Sequence, residues 1–321
     1  MYALALDDLG LEPRMMEVPT PEPGPNQIRV RMVAAGLNAY DGKAAAGRYP
    51  GMVYDRPYVP GIDGAGVVDA VGSGVTRFAV GQAVFGRLAG SPAGHGTFAE
   101  YTVPSEQAVI APIPAGVDFT AAAAVPVAGL TAYGVLHELN LFPEATLLVL
   151  GATGGVGSFL VQLAALEDVD VVATATGTEE TARMRELGAG GTVDHRGAKP
   201  VSDQVLDLRP AGLDGLADLV GDLELVTSLL PMLRPHGRVV STAGGVHDDQ
   251  LAAARLTGVN YHRPPTLEML VKLGGMVASG AVRAHVERTV PLAEAGPALV
   301  ESAGGHLHGK TVLLIGAIPG I

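Results

Sequence analysis

The stretch TLLVLGATGGVGSFLVQLAAL, residues 146–166, decides the fold. Leu147 to Leu150 are apolar without alternation, as in a strand buried on both faces. The run from Ser158 to Leu166 has the composition and length of a helix. Between them lies the turn Ala152-Thr153-Gly154-Gly155-Val156-Gly157. A bare A-x-G-x-x-G is often only a tight turn, and here Ala152 stands where the fuller fingerprint has glycine. Strand before and helix after make it a dinucleotide seat. Gly154 removes the Cβ where backbone meets pyrophosphate, Gly157 lets helix and strand approach, and the first helical N–H groups face the phosphates.

Outward from this turn the pattern repeats. VDVVATA, LADLVG and GRVVSTAG read as strands, and TEETARMRELGA and LELVTSLLPML as helices. Apolar strands alternating with helices imply a parallel sheet covered on both faces. Upstream, FTAAAAVPVAGLTAYGVLHEL is helical and broken at Pro126. Before Phe119 the chain is rich in glycine and proline, with the strand-like runs QIRVRMVAAGL, GAGVVDAVG, QAVFGRL and TFAEYTV. The tail ends in another, GKTVLLIGA. The expected organisation is α/β, with a β-rich domain of residues 1–118 and 265–321 interrupted by a doubly wound domain of residues 119–264.

Composition removes several classes of function. The 321 residues contain no cysteine, which excludes disulfides, thiolate nucleophiles and cysteine-held zinc. A formal charge of −12 with scattered Lys and Arg offers no basic stripe for nucleic acid or an anionic membrane. No stretch reaches the ~18 apolar residues of a membrane span. The acidic opening lacks the form of a secretion signal, so a cytoplasmic location is expected.

The strand VDVVATA bears on the choice of dinucleotide. NAD sites carry Asp or Glu about 20 residues after the glycines, on the ribose hydroxyls. That count falls on Thr174 to Thr176, where no carboxylate stands, and this favours NADPH. Glu179 and Glu180 object; Thr176-x-x-Glu179 also reads as a capping box. Thr176, Gly177 and Thr178 are then cofactor-loop residues, His195 and Arg196 the nearest phosphate partners, and Ala243 and Gly244 a further strand end at the cofactor.

VPTPEPGPNQIRVRMVAAGLNAYDGKAAAGRY, PYVPGIDGAGVVDAVGSGVTRFAVGQAVFG, GTFAEYTVP, AAAAVPVAGLTAYGVL, LGATGGVGSFLVQLA, RPHGRVVSTAG and HGKTVLLIG together resemble the medium-chain dehydrogenase/reductases, in particular their zinc-independent quinone oxidoreductase branch. The resemblance implies a GroES-like catalytic domain, a Rossmann cofactor domain, and a homodimer or homotetramer. The loop ATGTEET is similar to that of zeta-crystallin-type reductases, which use NADPH. Where zinc-dependent relatives hold their metal, this chain has Asn38, Ile62 and Val127. Ile and Val ligate nothing, and the pair His306 and His308 reads as surface, so no metal is expected.

Zinc would polarise a carbonyl. Without it, hydride transfer suits an electron-poor acceptor such as a quinone, an enone or an enoyl thioester. Asn38 is expected to donate from its amide to substrate or to the nicotinamide ribose. Tyr49 resembles a tyrosine that related reductases place at the substrate, donating a proton or hydrogen bond, and equally reads as a loop residue capping the core. Tyr40 is the adjacent alternative. Asp41 reads as a turn or ion-pair residue, Lys310 as a solvated strand start, and Thr131 resembles the family threonine near the nicotinamide. Two rivals stand beside the quinone or alkene reductase: an enoyl-thioester reductase of fatty-acid or polyketide synthesis, and a non-catalytic NADPH-binding protein.

Overall fold

The computed structural model describes residues 1–305 and 308–316 and divides into two units. Met1–Leu130 and the chain from Pro265 onward make one; Thr131–Pro264 make the other. The boundary therefore lies at 130/131, not at 118/119. The reason is the helix Phe119–Ala124, which packs on the strands Ile28–Leu37 and Asp63–Val71 of the first unit. Its start is fixed by Asp118, whose carboxylate accepts the amide of Ala121 at 2.7 Å. The next helix opens at Pro126, as expected.

Unit 1 is built on a mostly antiparallel seven-stranded sheet. Its order is Val286–Pro291, Lys310–Leu314, Ile28–Leu37, Asp63–Val71, Ala83–Arg87 and Ile110–Pro112, with Tyr101–Thr102 also on Ile28–Leu37. TFAEYTV thus gives only a two-residue strand. The strand Lys310–Leu314 inserts between the strand just before it and one from the far end of the chain. Among the described residues its apolar clusters include one around Leu4, Leu37 and Leu299, one around Ile28, Val68 and Ile110, and a smaller one around Ala3, Val59 and Ala99.

Unit 2 carries six parallel strands in the order Gly191–Val193, Asp170–Thr174, Thr146–Leu150, Leu213–Asp218, Leu233–Ser241 and Thr257–Asn260. The order reverses beside Thr146–Leu150, the place where ligands bind in open sheets of this kind. Helices cross between consecutive strands, among them Gly155–Leu166, Gly177–Glu186 and Val201–Leu208. The strand expected at LADLVG begins earlier, at Leu213, and stops at Asp218, whose Oδ1 accepts the amides of Val220 and Gly221 at 3.0 and 2.9 Å. Leu148, Val172, Leu216 and Val239 lie in one buried cluster, which explains the unbroken apolar runs. Among the described residues no helix is long and apolar enough to cross a membrane.

Candidate active site

In unit 1 four polar side chains meet where apolar ones are the rule. Asn38 ends the strand Ile28–Leu37 and caps the helix Ala39–Ala45, which has Asp41 in its first turn. Asp63 opens one neighbouring strand and Lys310 the other. Because Thr311 pairs with Leu37, Lys310 comes to stand beside Asn38. The Lys310 ammonium donates to the Asn38 side-chain oxygen and, at 3.2 Å, to Asp63 Oδ2. Asn38 Nδ2 donates to Asp63 Oδ2 at 3.1 Å, to Asp41 Oδ2 at 3.2 Å and to the Gly36 carbonyl at 3.3 Å. Its backbone amide donates to Asp41 Oδ2 at 2.8 Å.

This geometry corrects one expectation. Every polar atom of the Asn38 amide has a partner in the cluster, where it knits buried charges together. Lys310 is not solvated, being only 3% exposed. A charged amine is tolerated there because a carboxylate and an amide oxygen meet it. Burial, followed by repulsion from Asp63, pushes the Asp41 carboxyl up to about 7. Burial also raises Asp63, against the pull of Lys310.

A cavity of about 420 Å³ opens beside the cluster, a size suited to a small ring compound. Tyr40, Asp41, Tyr58, Ile62, Arg87 and His95 are in its wall. Tyr40 therefore faces the cavity, whereas Tyr49 is 38% exposed and its ring stacks on that of Tyr40 at 5.0 Å between centroids. Burial, then Tyr40 and Asp41, raise the Tyr49 phenol.

In unit 2 the parallel arrangement brings the C-terminal ends of the strands to one edge. Ala152 to Gly157, Thr176 to Thr178, His195 and Arg196, and Ala243 and Gly244 all follow those ends. Thr131 does not; it is half-buried on the helix Pro126–Leu139. The turn fits a dinucleotide. Gly154 caps the twelve-residue helix Gly155–Leu166 with extended backbone, which leaves the first N–H groups at that edge. A Cβ on Gly157 would stand 2.3 Å from the Gly151 carbonyl, so only glycine permits this helix-to-strand approach. The left-handed residue of the turn is Gly151, at φ 77°, and Ala152 needs no glycine.

Four side chains brace this edge, and two of them, Asp218 and Ser241, had no place in the sequence reading. The Thr174 hydroxyl accepts the amides of Gly151 and Ala152 at 3.0 and 3.3 Å, so it faces the glycine turn instead of a ribose. At Thr176 the carboxylate that folds back is that of Glu180, not Glu179; it accepts from the backbone amide at 2.7 Å and the hydroxyl at 2.8 Å. Asp218 Oδ2 accepts the Ser241 hydroxyl at 2.7 Å, and Ser241 Oγ accepts the amides of Ala243 and Gly245 at 3.0 and 2.9 Å. The available signal was a lone polar residue ending each apolar strand. His195 and Arg196 are exposed in a turn held by Asp194, which accepts the Arg196 amide at 2.8 Å.

Of the three positions compared with zinc ligands, Ile62 lies in the cavity wall and Val127 offers its backbone amide to Asp63 Oδ1 at 3.0 Å. Among the described residues no group of three or more His, Asp or Glu is placed to hold a metal, and His306 lies outside them.

Residues 24–115 match the alcohol dehydrogenase GroES-like domain, and residues 187–313 match the zinc-binding dehydrogenase domain. The chain is 35% identical to a quinone oxidoreductase of Pseudomonas aeruginosa, over 91% of this chain and 92% of that one. It is 30% identical to the chloroplastic NADPH-dependent alkenal/one oxidoreductase of Arabidopsis thaliana, over 96% of this chain and 76% of that one. Among solved structures, an NAD-dependent alcohol dehydrogenase superposes with a TM-score of 0.87 at 29% identity, covering 98% of this chain and 100% of that one.

Proposed function

This chain belongs to the medium-chain dehydrogenase/reductase family, in its quinone-oxidoreductase-like branch, and from that premise we propose that it transfers hydride from NADPH to a quinone or activated alkene without a metal. The observation that carries the reading is the cluster of Asn38, Asp41, Asp63 and Lys310, bonded to one another where zinc-dependent relatives keep a ligand. Ile62 and Val127 complete the loss of the ligand set. With no Lewis acid, the acceptor itself must spread the charge that hydride brings, and a quinone or enone does so through conjugation.

When bound, the nicotinamide supplies the hydride. The chain's own residues bind and orient. Ala152 to Gly157 hold pyrophosphate on the helix N-terminus, with the turn braced by Thr174. Ala243 and Gly244 approach the dinucleotide on a loop fixed by Ser241 and Asp218. NADPH is favoured because Glu180 is engaged on Thr176, which leaves Gly177 and Thr178 at the ribose end and His195 and Arg196 for the 2′-phosphate. Thr131 serves near the nicotinamide. The cavity beside Tyr40, Tyr58 and Ile62 seats the acceptor and sheds water from it. Tyr49 supports Tyr40 from behind by ring stacking. The same reading carries a homodimer or homotetramer, which sedimentation tests.

The decisive experiment follows NADPH absorbance with a quinone, a small enone and an enoyl thioester in parallel. Oxidation with the first two is the expected result. Tight NADPH binding without oxidation by any of the three would make the protein a binder and not an enzyme. Equal or better turnover with NADH would overturn the preference for NADPH read from the carboxylate-free stretch Thr174 to Thr176.

A further inference from the structure

The cluster beside the cavity holds two carboxylates and one ammonium, and its hydrogen bonds treat the carboxylates differently. Asp63 is fully met: Oδ1 accepts from the Val127 amide, and Oδ2 accepts from both Asn38 and Lys310. Asp41 accepts only through Oδ2, from the backbone and side-chain nitrogens of Asn38. Its Oδ1 is buried and has no hydrogen-bond partner among the described residues. Lys310 bonds to Asp63 and Asn38 and not to Asp41. An ionised Asp41 would thus be a buried anion with an idle oxygen, next to a second anion that has already claimed the cation. Neutralisation by a proton is the inexpensive solution, and Oδ1, which accepts no hydrogen bond among the described residues, is the oxygen left to carry it. Asp41 is also in the cavity wall, with Tyr40 and Tyr58.

We propose that Asp41 holds a proton at neutral pH and delivers it to the acceptor once hydride has been added, a role that rests on the reductase reading above. For an enone, hydride from NADPH bonds to the β-carbon, and the π pair moves onto the oxygen as an enolate. The Asp41 O–H bond then breaks, its proton bonds to the substrate, and its electron pair stays on Asp41 as carboxylate. For a quinone the proton goes to the oxyanion of the hydroquinone. Bulk water returns the proton to Asp41 before the next turnover. The upward displacement of its carboxyl, to about 7, agrees with this cycle, because an acid with that affinity is both loaded and able to let go. The charged and titratable groups around it are Asp63, Lys310, Tyr40, Tyr49 and Tyr58, with Arg87 and His95 in the wall of the same cavity. Tyr49 and Tyr58 are both raised, chiefly by burial, so they stay neutral through this range.

The test compares the wild type with Asp41→Asn, which keeps the size of the side chain and cannot give up a proton. Infrared difference titration of the wild type is expected to show a protonated-carboxyl band that fades as pH rises through 7 and is missing from Asp41→Asn. The wild-type kcat is expected to fall across the same interval. In Asp41→Asn, kcat is lower by about a hundredfold and flat with pH, with NADPH affinity unchanged. A wild type without the band at about pH 6 overturns the proposal, and this reading needs no folded variant. An Asp41→Asn enzyme with the wild-type pH profile also overturns it. A wild type that turns over none of the acceptors overturns the reductase reading itself, and the band distinguishes that failure from the failure of Asp41.

Discussion

The ammonium of Lys310 donates to the side-chain oxygen of Asn38, a residue 272 positions earlier in the chain. This contact fixes which way the Asn38 amide faces, and so sends its nitrogen toward the two aspartates. It is a positioning interaction between a strand start and a helix cap. Removing Lys310 leaves the Asp63 carboxylate in the buried cluster without its ammonium.

Lys310→Met is therefore expected to destabilise the fold by about 3–5 kcal/mol, since Asp63 becomes an uncompensated buried carboxylate. Urea unfolding measures the loss. The double variant with Asp63→Asn is expected to recover much of it, because the orphaned charge is then gone. A single variant as stable as the wild type would show that Lys310 is not bound as described.

Asp41 makes stability depend on pH in a definite direction. Its carboxyl moves from 3.8 to about 7 on folding, so between those values the folded chain holds a proton that the unfolded chain has released. Stability from this group is complete below 3.8 and is lost as pH rises to 7. Asp41→Asn removes that loss. Relative to the wild type, the variant is expected to be more stable at about pH 8 than at about pH 5, as measured by denaturant unfolding at both.

Gly157→Ala places a methyl group 2.3 Å from the Gly151 carbonyl, which forces the glycine turn away from the helix. NADPH affinity is expected to fall by about tenfold or more, equivalent to about 1.4 kcal/mol. Isothermal titration checks it. An unchanged Kd would separate the turn from cofactor binding.

The Tyr49 ring packs on that of Tyr40, with 5.0 Å between centroids. Tyr49→Phe keeps the stacking on Tyr40 and is expected to leave kcat/KM within about twofold. Tyr49→Ala loses a contact worth about 0.5–1.5 kcal/mol, and kcat/KM is expected to fall about three- to tenfold. If Tyr49→Phe lost as much as Tyr49→Ala, the hydroxyl would be the working part.

The two architectures were legible because each has its own period. Apolar runs such as Leu147–Leu150 and Val171–Ala173 announce a doubly covered sheet, and the glycines of the turn fall where backbone crowds backbone. The dinucleotide edge followed from parallel strands alone. The cluster was legible only in part. Asn38 stood out by comparison with relatives, but its orientation depends on Lys310, whose identity gives no hint of burial. Asp41 looked local, and it is a helix-turn residue with a capping bond to Asn38. What no local pattern reveals is that Asp63 faces the same nitrogen, since strand register across the sheet puts it there. Glu180 replaced Glu179 at Thr176 because a side chain one residue further along the first helical turn reaches the same amide.

The inserted strand Lys310–Leu314 also sets an order of events during synthesis. Asn38, Asp41 and Asp63 leave the ribosome long before Lys310 does. At roughly 10 residues per second, the 272 intervening positions take about half a minute. Through that interval the strand Ile28–Leu37 has an unpaired edge, the one later covered by Lys310–Leu314, and Asp63 has no ammonium beside it. Unit 2, whose strands all lie between Thr146 and Asn260, has no such debt and can close first. The dinucleotide platform is then ready on a nascent chain whose acceptor site has yet to exist.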